Sequence, residues 1–381
     1  MSSPTLLRSG FDTLDYAMQG CLSFSGLNLL KSAKEQAQEQ KAPTVVKLGP
    51  DKIPVSVSQS GRRGGYSYVV DRGKVGALYC FKKSPHANEW NIFVSIRAAM
   101  LLQQGCQKAM EITLSELKGF GCFLGQESLN RVDYCFDFLL EDFYIRPEQM
   151  IAPPTTSKMG WIEGRHIDDK SMMAFRGRNL ETLTIGKNPN LQVQIYDKRR
   201  EAIQKNNLYW FDVWGIDPKD KTKQVIRVEV RAYKNHLKET WGLRTFKDIE
   251  DSFGDVVSAA LEKIRYLDDN QNYDTVNVTR AALHPVWLEA QRAAKEALFE
   301  NSSGLVAGTI NSKLREQYRD ENNTMLAAYA RRVAAEQGLT DIQIVNDLPS
   351  IIQKIIGMEI RRNTDGYLKK ASITAQKLKL F

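Results

Sequence analysis

Asn130-Arg-Val-Asp-Tyr-Cys-Phe-Asp-Phe-Leu-Leu140 is the stretch on which the fold of this chain turns. Successive side chains of a strand point to opposite faces. Arg131, Asp133, Cys135 and Asp137 therefore fall on one side, and Val132, Tyr134 and Phe136 on the other. Downstream, Glu181-Thr-Leu-Thr-Ile185, Leu191-Gln-Val-Gln-Ile-Tyr196 and Gln224-Val-Ile-Arg-Val-Glu-Val-Arg231 carry the same strand signal. Gly186-Lys-Asn-Pro-Asn190 reads as the hairpin loop joining the first two. Upstream, Val55-Ser-Val-Ser58, Tyr66-Ser-Tyr-Val-Val70 and Gly76-Ala-Leu-Tyr-Cys-Phe81 follow at hairpin spacing, with Asp71-Arg-Gly73 as a turn.

Helical texture surrounds this β-rich region. The polar run Lys31 to Lys41 reads as an exposed helix stopped by Pro43, and Leu22 to Leu30 before it is apolar. Trp90 to Leu102 has helical apolar spacing at Phe93, Ile96, Ala99 and Met100, and Ser115 to Leu124 reads as a short helix. Pro147, Pro153 and Pro154 mark a long loop. After Tyr233 the pattern predicts helices near 246–265, 284–300, 310–337 and 341–361, with breaks at Asp268–Asn272, Ser302–Gly304 and Gly338. The expected class is α+β. A largely antiparallel sheet domain with flanking helices spans 45–275, after a helical extension over 1–44 and before an all-α domain over 276–381.

Composition narrows the function. Of 381 residues, 42% are hydrophobic and 26% charged, which excludes wholesale disorder. No segment reaches the roughly 18 apolar residues of a membrane span. Residues 1–10 lack a charged segment leading into an apolar run, so no secretory signal is expected. The five cysteines are scattered without a CxxC pair, which points to a reducing cytoplasm rather than to disulfides or zinc. There is no GxxxxGK[ST] loop and no GxGxxG after a strand, and the four histidines form no HxH or HxxxH pair. Nucleotide hydrolysis and a histidine-built metal site are thereby disfavoured. A formal charge of +8 suits a nucleic-acid partner or simple solubility.

The candidates for chemistry are polar residues inside strands. Asp133 and Asp137 lie roughly 13 Å apart at the rise of a strand, too far to share one metal unless the strand bends. Arg227, Glu229 and Arg231 align in the same way. Such residues also suit cross-strand ion pairs on a solvated sheet face. Tyr196 ends an alternating strand and shares a face with Gln192, Gln194 and Lys198. It reads either as a nucleophile assisted by a nearby cation or as an ordinary amphipathic strand-end tyrosine.

In order, these elements resemble the trans-acting rolling-circle replication initiators, a family that includes staphylococcal plasmid initiators, relaxases of some conjugative elements and replication proteins of certain filamentous phages. The motifs are Arg131-Val-Asp133…Asp137, Leu183-Thr-Ile-Gly186, Tyr196-Asp-Lys198-Arg-Arg-Glu201 and Arg227-Val-Glu229-Val-Arg231. Ser60-Gly-Arg-Arg-Gly-Gly-Tyr-Ser-Tyr68 is similar to the family's glycine-rich GGY segment. The likeness covers about residues 50–260.

The resemblance implies a metal-dependent nicking domain over 45–275 in which Tyr196 forms a 5′-phosphotyrosyl bond. It implies Asp133 and Glu229, with Asp137, as ligands of Mg²⁺ or Mn²⁺. Carboxylate oxygens without a histidine cluster suit those ions better than zinc. Lys198 would face the scissile phosphate, and Arg131 and Arg231 would steer carboxylates or grip the backbone. Arg62, Arg63, Lys187, Arg199, Arg200 and Arg227 are the candidate DNA contacts. Origin duplex with a locally single-stranded nick site, a host helicase and a second copy of the chain are the candidate partners, with no membrane. The helical C-terminal part is a candidate DNA-binding or oligomerisation module, and its apolar stretch Ile344 to Ile356 suits a core or an interface. The competing reading is a non-catalytic DNA-binding replication or partition protein, and a third is a structural protein whose basic surface binds nothing in particular.

Overall fold

The computed structural model describes residues 3–152, 174–176, 179–268, 281–296 and 309–378. Pro153, Pro154, Asn272, Ser302–Gly304 and the expected boundary at 275 lie outside them. The chain opens with strand β1 (Thr5–Leu22), helix α1 (Phe24–Glu39) and four short strands. These are β2 (Thr44–Leu48), β3 (Ile53–Val57), β4 (Tyr68–Asp71) and β5 (Leu78–Phe81). Then come β6 (Trp90–Ile96), α2 (Ala98–Gln104), α3 (Cys106–Gly119) and the long β7 (Cys122–Leu140). The second half contains β8 (Met150–Ile151), β9 (Ala174–Arg176), β10 (Asn179–Gly186), β11 (Leu191–Asp197), α4 (Lys198–Gln204), α5 (Tyr209–Trp214) and β12 (Gln224–Tyr233). It continues with α6 (Phe246–Lys263), β13 (Arg265–Tyr266), α7 (Pro285–Ala294), α8 (Thr309–Glu336), α9 (Asp341–Asn346), α10 (Leu348–Arg362) and α11 (Thr364–Leu378).

Among the described residues, eleven strands form one sheet in the order β2-β3-β4-β5-β6-β1-β7-β12-β11-β10-β9, with neighbours antiparallel throughout. The α+β class with a largely antiparallel sheet holds. Strands β8 and β13 form a separate small ladder.

Several sequence expectations need correction, the short helix at Ser115–Leu124 among them: α3 ends at Gly119 and Cys122–Leu124 opens β7. Residues 5–22 are no part of a helical extension: β1 is central to the sheet, held between β6 and β7. Gly10, Gly20 and several register shifts interrupt its apolar alternation, which hides the strand in the sequence. Trp90–Ile96 is strand β6 rather than the start of a helix, because Ile92, Phe93, Val94 and Ile96 are buried on both faces and imitate helical spacing. Helix α7 belongs to the sheet domain: the Trp287 indole is fully buried and its Nε1 donates to the carbonyls of Leu261 and Ile264, both at 2.9 Å.

The two sheet faces differ. Val132, Tyr134, Phe136 and Phe138 of β7 join Leu14, Tyr16, α3, α6 and α7 in the main core, where Phe11 packs edge-on to Tyr134 at 5.2 Å. The opposite face is polar along β7, β12 and β11 and is partly roofed by α5, whose aromatic residues form a second apolar cluster with Ala99, Leu102 and Ala202. Helices α8–α11 contribute only Ala334 to the buried apolar set among the described residues. The stretch Ile344 to Ile356 is therefore not core of this chain: Ile344, Val345 and Ile356 are all exposed.

Candidate active site

Register gathers the polar residues. On β12, Arg231 faces Asp133, Glu229 faces Cys135 and Arg227 faces Asp137 of β7. On its other side β12 meets β11, setting Gln192 opposite Arg231, Gln194 opposite Glu229 and Tyr196 opposite Arg227. Three separate sequence motifs thus form one contiguous patch, since directly opposed residues share a face.

The patch divides into two ionic networks. In the first, Asp137 accepts a forked pair from Arg227, Nε to Oδ1 at 2.6 Å and Nη2 to Oδ2 at 2.8 Å, and a third bond from the Trp214 indole at 2.9 Å. Arg227 also reaches Asp12 at 2.6 Å. A register shift between Phe11 and Thr13 sends Phe11 into the core and lets Asp12 meet Arg227 on the polar face. Burial, the largest single influence, works to raise the Asp12 and Asp137 carboxyls, but Arg227 and Arg8 act together, with Lys198 at Asp12 and the Trp214 hydrogen bond at Asp137, and hold both below the usual range. Trp210 lies against three cations, Arg227 at 4.6 Å, Lys198 at 5.0 Å and Arg8 at 5.3 Å from its ring centre.

The second network holds the reactive candidates. The Tyr196 hydroxyl donates to Glu229 Oε2 at 2.8 Å, and Glu229 Oε1 accepts from Arg231 Nε at 2.7 Å. Arg131 donates from both Nε and Nη2 to Asp133, the first bond at 2.8 Å. Arg231 Nε also lies 3.8 Å from Asp133 Oδ2 and so bridges the two acids. Burial, and then the charge of Glu229, push the Asp133 carboxyl up to about 8 despite Arg131 and Arg231. Burial and Glu229 likewise raise the Tyr196 phenol well above its ordinary value.

The sequence candidates divide accordingly. Tyr196, Asp133, Glu229, Arg131 and Arg231 come together. Asp137 does not join them: it belongs to the other network, held by the fully buried Arg227 and by Trp214. Arg227 is 0% exposed and paired on both sides, which corrects its expected role as a DNA contact. Lys198 is buried and bonded to Glu201 at 2.7 Å; Asp197 caps α4 through the Arg200 amide, so the Tyr-Asp-Lys-x-x-Glu spacing is that of one capped helical turn. Arg199 is tied to the carbonyls of Pro218 and Asp220 and Arg200 to Glu181, whereas Arg62, Arg63 and Lys187 are exposed.

Sequence reasoning passed over Asp12, Trp210 and Trp214. The aromatic run Tyr209-Trp-Phe-Asp-Val-Trp214 was the available signal, too dense in large rings for a surface helix. Among the described residues, no group of three or more His, Cys, Asp or Glu side chains is arranged to hold a metal ion. The donor chemistry at Asp133 and Glu229 still suits a hard cation, since two neighbouring acids, one with its carboxyl raised, are relieved by added positive charge. Among the described residues no helix is long and apolar enough to cross a membrane.

No family model and no curated protein matches the sequence. Among solved structures, the chain is similar to a rolling circle replication initiator protein from Geobacillus stearothermophilus at 14% identity, over 77% of this chain and 99% of that one, with a TM-score of 0.40. At that level of likeness the chemistry rests on this chain's own residues.

Proposed function

We propose that this protein nicks and recloses DNA to initiate rolling-circle replication or conjugative mobilisation, with Tyr196 as the nucleophile. The Tyr196–Glu229 hydrogen bond of 2.8 Å carries the reading. A phenol with a raised pKa is a poor nucleophile unless a base takes its proton as it attacks, and Glu229 is in contact with that proton. As the Tyr196 oxygen bonds to phosphorus, its proton passes to Glu229, the P–O3′ bond breaks, and the departing 3′ oxygen takes up a proton from solvent water. The products are a 5′-phosphotyrosyl bond and a free 3′ hydroxyl. Arg131 and Arg231, each more than a fifth exposed, hold the acids and present guanidinium groups to the phosphate. Mg²⁺ or Mn²⁺, held by Asp133 and Glu229, would supply charge for the non-bridging oxygens. Religation conserves the bond energy, in keeping with a sequence that has no nucleotide-phosphate loop.

Incubation with supercoiled DNA carrying the neighbouring origin, with and without Mn²⁺, tests this. A DNA–protein adduct that disappears in Tyr196→Phe is expected; an adduct that persists in that variant would remove Tyr196 from the role. One observation favours a non-catalytic DNA-binding protein: the oxygens of Asp133 and Glu229 are already engaged by Arg131, Arg231 and Tyr196. On that reading DNA is retained and neither a nick nor an adduct forms.

A further inference from the structure

The turn between β3 and β4 builds a feature that the nicking chemistry does not use. Gly64 and Gly65 take φ of +90° and +84°, open to glycine at no steric cost, and fold the segment so that the Arg62 amide bonds the Tyr66 carbonyl at 2.8 Å. The Tyr66 ring then lies 5.7 Å from the ring of Phe93 on β6, tilted by 52°, with Lys82 Nζ 5.4 Å from its centre. The Arg62 guanidinium sits 4.4 Å over Phe93. Phe93 is buried, Tyr66 half-buried and Arg62 exposed, so the stack has one closed side and one open side.

Charge marks what the open side fits. Arg62, Arg63, Lys82 and Lys83 form no ion pair with any described carboxylate, whereas Arg72, Arg97, Arg131, Arg227 and Arg231 all do. Cations free of close ion pairs and interleaved with aromatic rings suit a ligand with both phosphates and flat rings, which is unpaired nucleic acid. Ser95, two residues beyond Phe93, faces Asp15 of β1, and Asp15 faces Arg131 of β7. The stack therefore shares the sheet face of Tyr196, four strands away in the order β6-β1-β7-β12-β11, about 19 Å across the strands and roughly 30 Å along them, because Phe93 is level with Ser128 of β7 and Tyr196 with Asp137.

We infer that Tyr66, beside the Arg62–Phe93 stack, is a base-stacking subsite for single-stranded DNA running across the sheet from the Tyr196 site. The inference rests on the nicking reading only for where that strand leads.

The test measures binding of the full chain to a fluorescein-labelled oligothymidylate and to a chain of equal length lacking every base. Stacking contributes about tenfold per base, so Tyr66→Leu should weaken oligothymidylate binding about tenfold and leave the abasic chain unchanged. Tyr66→Phe, which keeps the ring, should bind as wild type does. Unchanged thermal unfolding of both variants verifies the fold. An equal loss on both probes, or no loss on either, overturns the subsite. The adduct assay reads the nicking proposal separately. An adduct without base-dependent loss at Tyr66 sinks the subsite alone, and base-dependent loss without an adduct sinks the nicking reading alone.

Discussion

Tyr196 gives its phenolic proton to a carboxylate hydrogen bond within a nearly closed polar layer, and this sets what single substitutions should do. Tyr196→Phe removes a bond to a charged acceptor and leaves Glu229 Oε2 short of a partner, so it should cost about 2 kcal/mol in denaturant unfolding while abolishing the adduct. Asp137 gives the opposite profile. Asp137→Ala leaves the buried Arg227 guanidinium with Asp12 as its remaining partner, and about 3 kcal/mol or more should be lost in the same measurement. Metal affinity per folded molecule, read by calorimetry with Mn²⁺, should be unchanged. A metal ligand would show the reverse, a modest stability change and lost affinity.

Asp133 carries a pH signature. Its carboxyl, raised to about 8 by burial and by Glu229, binds protons more readily in the folded chain than in the unfolded one. Its contribution to stability is fully present below the ordinary carboxyl range and is lost as pH rises through about 8. Without divalent ions, Tm should fall across that window in the wild type, and Asp133→Asn should flatten the fall. Thermal unfolding across that pH range checks it.

At the scale of elements, legibility followed alternation. Strands β7, β10, β11 and β12 were readable because polar and apolar residues take turns along them, and the same alternation exposed Asp133, Glu229 and Tyr196. Strand β1 was not readable. Its register shifts and its glycines break the period, although it forms the long ladder with β7. The partners of Arg227 were hidden for a related reason: Asp12 comes from an irregularity in β1 and Trp214 from a helix on the far side of a turn, relations that no local spacing encodes. A chain lacking residues 1–22 should fail to fold, because it removes a strand bonded on both sides. A chain ending at 308 should unfold cooperatively, since the described part of α8–α11 adds little buried apolar surface. A chain ending at 275 should not, because it lacks Trp287. Circular dichroism melts of the three truncations separate these outcomes.

Across the whole molecule, charge is sorted by burial and pairing. The cations between β7 and β12 are paired with buried acids and fix geometry, while those at the Arg62–Arg63 turn and the Lys187 hairpin are exposed, and Arg62 and Arg63 form no close ion pair among the described residues. Such surface cations can release counterions from a DNA strand, whereas a buried pair has none to release. The salt dependence of single-strand binding should therefore track exposed residues alone. With a slope of about 0.7 per phosphate neutralised on a single strand, the double variant Arg62→Ala/Arg63→Ala should reduce the slope of log affinity against log salt by about 1.4. Arg200→Ala, whose guanidinium is bonded to Glu181, should leave it nearly unchanged once folding is verified. Titration of a labelled oligothymidylate over a salt series decides between them, and equal slopes for all three proteins would show that the strand takes another path over the sheet.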